Sequence, residues 1–157
     1  MEFQKIITVG DVINLALLVT VLIGILFTYL QMRINTKTQR AIFFKELYST
    51  MFTDEVIRSI YYKIEYNQFQ YNLEFHSGSE EEKSIDRLLS FADLVSELYF
   101  QKVISEKEMS FFEYEFIRIF KNSEIKKYLH YLRQFYEANS CCKKPFERFV
   151  KYGETHL

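Results

Sequence analysis

Three histidines, two cysteines and one run of glutamates are the side chains in this 157-residue chain with the most obvious capacity for chemistry. Their spacing assembles no site. His76 reads as part of a loop, His130 as part of a helix and His156 as part of the tail, so no two of them share a turn. No HExxH pair, CxxC pair or acidic twelve-residue calcium loop is present. Cys141 and Cys142 are adjacent, and disulfide geometry fits a neighbouring pair poorly, which favours free thiols over a secreted disulfide framework. Glu80, Glu81 and Glu82 fall in a predicted first helical turn, where the helix dipole favours negative charge without any cation. Four glycines cannot build a phosphate-cradling loop, and neither GxGxxG nor GxxxxGK[ST] occurs. Small helical RNases of bacterial toxin and defence systems carry an Arg four to six residues before a His. None of the three histidines here has one. These absences predict no catalytic residue, no metal and no cofactor. A hidden site would have to draw Glu97, Glu113, Glu115 and His130 together from separate helices.

Aromatic and basic residues offer a different kind of chemistry. The chain has 16 Phe and 12 Tyr but no Trp. Phe111, Phe112, Phe116 and Phe120 could stack a base or hold a cofactor, yet aromatics at helical spacing more often fill a core. So many in so small a domain predict an exposed remainder, which would mark a partner surface. At the C-terminus Lys143, Lys144, Arg148 and Lys151 alternate with Phe146, Phe149 and Tyr152. That helix either touches anionic lipid through its basic residues or closes the bundle with its charges in water.

Elements that would position these groups follow from the hydrophobic pattern. Val12–Met32 contains no charge, and its 21 residues span roughly 31 Å, the thickness of a bilayer hydrocarbon core. Asp11 is placed to cap it. A cleaved signal peptide has a shorter apolar stretch and a small-residue cleavage site, whereas Gln31, Arg33, Asn35 and Lys37 form a stop-transfer flank. Arg33, Lys37, Arg40 and Lys45 follow the run and only Lys5 precedes it, which predicts a short extracytoplasmic tail (1–11) and a cytoplasmic domain. Ala16, Thr20, Gly24 and Thr28 recur every fourth residue, a small-residue stripe suited to packing between membrane helices.

The juxtamembrane stretch 33–52 continues as helix, and residues 53–157 read as a domain of amphipathic helices. Thr53-Asp54 offers a cap for a helix with Val56, Ile57, Ile60, Tyr61 and Ile64 on one face. Residues 67–75 are aromatic and ambiguous, and 76–79 form a loop. Ser79 with Glu82 and Ser105 with Glu108 read as capping boxes. The first opens a helix burying Ile85, Leu88, Leu89, Ala92, Val95 and Tyr99; the second opens one burying Met109, Phe112, Phe116, Ile117 and Phe120. Asn122 or Ser123 caps a third, with Ile125, Tyr128, Leu129, Leu132, Phe135 and Tyr136 as its stripe. Pro145 suits the first turn of a last short helix. The expected fold is all-α: an N-terminal transmembrane helix and a small antiparallel helical bundle. Of all Lys, Arg, Asp and Glu residues, only Glu2, Lys5 and Asp11 precede residue 33, which leaves the remainder neutral and predicts no nucleic-acid partner.

The stretch LLSFADLVSELYFQKVISEKEMSFFEYEFIRIF followed by IKKYLHYL, with the anchor and basic flank before it, resembles a group of uncharacterised bacterial single-pass membrane-anchored helical proteins. The shared pattern covers about residues 40–137. The resemblance implies a bacterial inner-membrane setting, sometimes near mobile elements and phage-defence genes, and transfers no functional residue. The expected function is a membrane-anchored interaction or scaffold protein with the lipid bilayer and a protein partner, or further copies of itself, as ligands. An oligomeric effector of a phage-defence or toxin system and a membrane-tethered enzyme or nuclease are the alternatives. No small-molecule substrate is evident.

Overall fold

A computed structural model describes residues 9–139 and 144–157. Lys5, Cys141, Cys142 and Lys143 therefore lie outside the described residues. Those described form helices joined by turns and loops, with no strand among them. The chain divides into two units, residues 1–43 and 44–157.

The first unit belongs to α1 (Val9–Thr53), which is long and apolar enough to cross a membrane. None of its most apolar window is buried against protein. Asp11 lies within its first described turn and does not precede the helix as a cap. No Pro interrupts the helix, and Gly24 is its one interior glycine after Gly10.

The second unit is built around a shared core. The last part of α1 contributes Leu47 and Met51. Asp54 ends α1 and caps α2 (Glu55–Glu65), its carboxylate accepting from the amides of Val56 and Ile57 at 3.1 Å each. Ile57, Ile60, Tyr61 and Ile64 of α2 are buried, but Val56 faces outward. α2 stops in a turn where Asn67 adopts φ +55° and the amides of Asn67 and Gln68 bond back to the carbonyls of Ile64 and Lys63. This paired bonding is a Schellman ending, and Asn tolerates its left-handed position better than most residues. The ambiguous aromatic stretch resolves into a loop that buries Phe69, followed by α3 (Leu73–His76), so His76 ends a short helix.

α4 (Glu80–Phe100) packs against α2, α3 and α8. Ser79 accepts from the Glu82 amide, but the Glu82 carboxylate returns its bond to Gly78 and not to Ser79, so the box is shifted by one residue. Ile85, Leu88, Leu89, Ala92 and Val95 are fully buried. Burial of each Leu or Ile stabilises by roughly 1.5–3 kcal/mol, so this one face is a major part of the stability of the unit.

The helix expected from residue 105 to 120 is broken. The Ser105–Glu108 capping box is complete, yet it opens only α5 (Glu106–Met109). Amides of Phe111, Phe112 and Glu113 then bond three residues back, tightening the chain before α6 (Glu113–Lys121) begins. Tightening turns Phe112 fully inward and leaves Phe111 outside. On α6 Phe116 and Ile119 are buried, with Ile117 and Phe120 half-buried. α6 packs against α2, α7 and α8. Asn122 caps α7 (Ser123–Ala138), which buries Ile125 and Tyr128 while Phe135 is exposed.

α8 (Glu147–His156) starts two residues beyond Pro145, after Phe146 in the left-handed region at φ +50°. Phe149 and Tyr152 enter the core. Gly153 is required by contact: a Cβ there would lie 2.3 Å from the Phe120 ring.

Candidate functional site

Three regions carry the residues singled out by sequence. The first is the small-residue stripe of α1. Ala16, Thr20, Gly24 and Thr28 are all exposed along one face. Thr20 donates to the Ala16 carbonyl and Thr28 to the Gly24 carbonyl, each at 2.9 Å. Both hydroxyls are thereby satisfied within the helix, and nothing lies within 4 Å of a Cβ built at Gly24. An apolar solvent tolerates such hydroxyls because their hydrogen-bonding need is met locally.

The second region is basic. Arg33, Lys37 and Arg40 are exposed on α1. At the other end of the chain, Arg148 pairs with Glu97 of α4 at 2.5 Å, and Lys151 sits 5.1 Å from the Phe100 ring centroid. Lys144 is exposed. Because Phe149 and Tyr152 are buried, the aromatic face of α8 belongs to the core and closes the domain. Burial, with Glu113, Tyr99 and Glu106 nearby, pushes the Tyr152 phenol up to about 12.

The third region is a polar cluster between α2 and α6 that sequence reasoning missed. Tyr114 donates to the Glu65 carboxylate at 2.9 Å, and Arg118 donates to the Glu65 backbone carbonyl. Arg118 thus ties down the carbonyl end of α2, where the helix dipole favours a cation. Desolvation raises the pKa of Glu115, whose buried Oε2 makes no hydrogen bond. Desolvation, reinforced by Glu65 and Glu115, likewise raises that of the Tyr61 phenol. Perturbed groups of this kind suggest a site only where a cleft admits a substrate. The cleft of about 290 Å³ beside Arg118 is walled by Ile64, Asn67, Ile117, Lys121, Asn122 and Ser123, and includes none of these carboxylates or phenols. No linear signal could have found the cluster, since Tyr61 and Glu65 meet Tyr114 and Arg118 only through packing.

Of the four side chains that a hidden active site would need, Glu97 is held by Arg148, Glu113 is exposed at the start of α6, and Glu115 faces α2. His130 is exposed and bonds Gln134 at 3.1 Å. They are not brought together. Glu80, Glu81 and Glu82 are engaged by Lys83, Lys63 and the Gly78 amide respectively. Among the described residues no three His, Cys, Asp or Glu side chains gather to hold a metal ion.

Among the described residues of the second unit, exposed aromatics include three local groups. Phe111 meets half-buried Phe44 and exposed Tyr48, with ring centroids 5.6 and 6.5 Å apart respectively. Tyr62 stacks on Tyr66 at 6.2 Å, and Tyr114 is also exposed. Phe135 lies between Tyr131 and Tyr136. No family, curated protein or solved structure matches the chain. Among the described residues the protein is all-helical, with one helix long and apolar enough to span a bilayer.

Proposed function

We propose that this protein is a membrane-anchored interaction protein that works by binding and not by catalysis. In this reading residues 12–32 span the inner membrane of a bacterial cell with the N-terminus outside. Residues 53–157 form a small antiparallel bundle in the cytoplasm, and copies associate through the face bearing Ala16, Thr20, Gly24 and Thr28. The observation that carries the reading is the charge-free Val12–Met32 run, in which every side chain is exposed on a continuous helix. Water would not leave so much aliphatic surface uncovered, whereas lipid would. The cytoplasmic orientation rests on the basic flank. An interaction role is supported by exposed Tyr66, Tyr114 and Phe111, residue types that anchor protein interfaces.

The test is the mass of the full-length chain in nanodiscs beside a Gly24→Leu variant. A defined oligomer that the substitution dissolves is the expected result, because a leucine on the stripe holds two helix backbones apart. A monomer in both samples removes self-association from the proposal.

A further inference from the structure

The first unit has a charge distribution that the anchor role alone does not require. No acidic residue occurs between Asp11 and Glu46, while Arg33, Lys37 and Arg40 all follow the apolar run. These three stand at i, i+4 and i+7 of a single uninterrupted helix, which gathers them within one face. All three are exposed, and the neighbouring Thr36 hydroxyl bonds back to the Met32 carbonyl at 2.9 Å. At helical rise, Lys37 begins about 7 Å and Arg40 about 12 Å beyond Met32, against a headgroup layer of about 5–8 Å. In an α-helix the Cα–Cβ bonds tilt toward the N-terminus, here the side of the apolar run. Long Lys and Arg stems therefore lean back toward the headgroups, and their charges come within a Debye length of the surface.

We infer that the Arg33, Lys37 and Arg40 face is a binding surface for anionic phospholipid headgroups, which it concentrates around the anchor. The inference rests on the membrane-spanning reading of residues 12–32 and adds the ligand to it. Anionic lipid is the occupant because a row of cations without an interspersed carboxylate is complementary to a phosphate layer. Each such residue near a charged surface favours association about fivefold.

The experiment uses the full-length chain in liposomes of phosphatidylcholine with a minority of phosphatidylglycerol. The readout is the protein-restricted fraction of spin-labelled phosphatidylglycerol relative to spin-labelled phosphatidylcholine. Wild-type protein should enrich the anionic lipid severalfold, falling to near parity in the triple variant R33Q/K37Q/R40Q and at high salt. The charge-matched control K107Q/K126Q/R133Q, altered at exposed positions of the second unit, should keep the enrichment. Equal restriction of both lipids by inserted wild-type protein would overturn the lipid inference and leave the anchor standing, as would loss of preference in the control alone. Release of the chain by alkaline carbonate would overturn the anchor reading and the lipid inference with it.

Discussion

Leu17, Leu18, Leu22 and Leu26 of α1 are each more than half exposed, whereas Leu88 and Leu89 of α4 are 0% exposed. The residue type is the same and the helical conformation is the same, yet the environments are opposite. α4 interrupts its leucines with Glu80, Lys83, Asp86, Arg87, Asp93 and Glu97, and so has a wet side and a dry side. α1 between Val12 and Met32 has no wet side at all. In water, a helix apolar all round must be covered by protein; this one is not, which is the physical case for a lipid solvent. The comparison also separates two meanings of a small residue. Gly24 meets nothing within 4 Å, while Gly153 stands where a Cβ would strike the Phe120 ring. The first is an open surface and the second a filled one.

This contrast can be broken most forcefully at its leucines. Leu88→Ala should destabilise the second unit by about 2–5 kcal/mol, the range for a buried large-to-small change that leaves a cavity. Leu22→Ala removes the same atoms from an exposed position and should leave thermal unfolding of that unit unchanged. Circular dichroism melts of the full-length protein in one detergent would decide it. A comparable loss in both variants would mean that α1 is packed against protein.

Next in size is the glycine pair. Gly153→Ala should cost about 1–3 kcal/mol, because the inserted methyl forces Phe120 to move within a packed core. The expected signature is a lowered melting temperature that Phe120→Leu partly restores in the double variant. A melt unchanged by Gly153→Ala would show that α8 can shift outward freely, contrary to a closing helix with Phe149 and Tyr152 inside.

Much of this architecture was readable from the sequence for reasons that can be named. A run of 21 uncharged residues needs no partner helix to be recognised, and the caps at Thr53-Asp54, Ser105 and Asn122-Ser123, narrowed by the structure to Asp54, Ser105 and Asn122, act through bonds two or three residues away. Inward faces of α2 and α4 followed from strict spacing, apart from exposed Val56 and half-buried Tyr99. Errors arose where the chain departs from one regular helix. The turn at Ser110–Phe112 changed the phase of the α6 face and buried Ile119 beside Phe116 while Ile117 and Phe120 are half-buried, and Phe146 in the left-handed region delayed α8 past Pro145. The α2–α6 cluster was illegible for another cause: its members lie about fifty residues apart, and their meeting depends on the packing of whole helices.

The smallest effect concerns a carboxylate placed inside the wet-and-dry pattern of α4. Asp86 accepts from the Tyr128 hydroxyl at 2.6 Å, and burial raises its pKa above the ordinary 3.8, with the Tyr128 bond opposing and Glu82 adding to the rise. A carboxyl whose folded pKa exceeds its unfolded value holds its proton more tightly in the folded state. Its contribution to stability is therefore greatest at low pH, declines as pH rises past about 3.8 through the folded pKa, and is then constant. Asp86→Asn keeps an acceptor for Tyr128 and cannot ionise. Stability of the variant relative to wild type should accordingly increase over that window and level off above it. Taking the difference between the two proteins cancels the opposite pH response of Glu124, whose pKa is lowered chiefly by its bond from Lys127. Denaturant titrations at a series of pH values supply the measurement. A difference that does not vary with pH would mean that Asp86 is solvated in the folded protein, and that α4 is wetter along its Tyr128 side than its buried leucines imply.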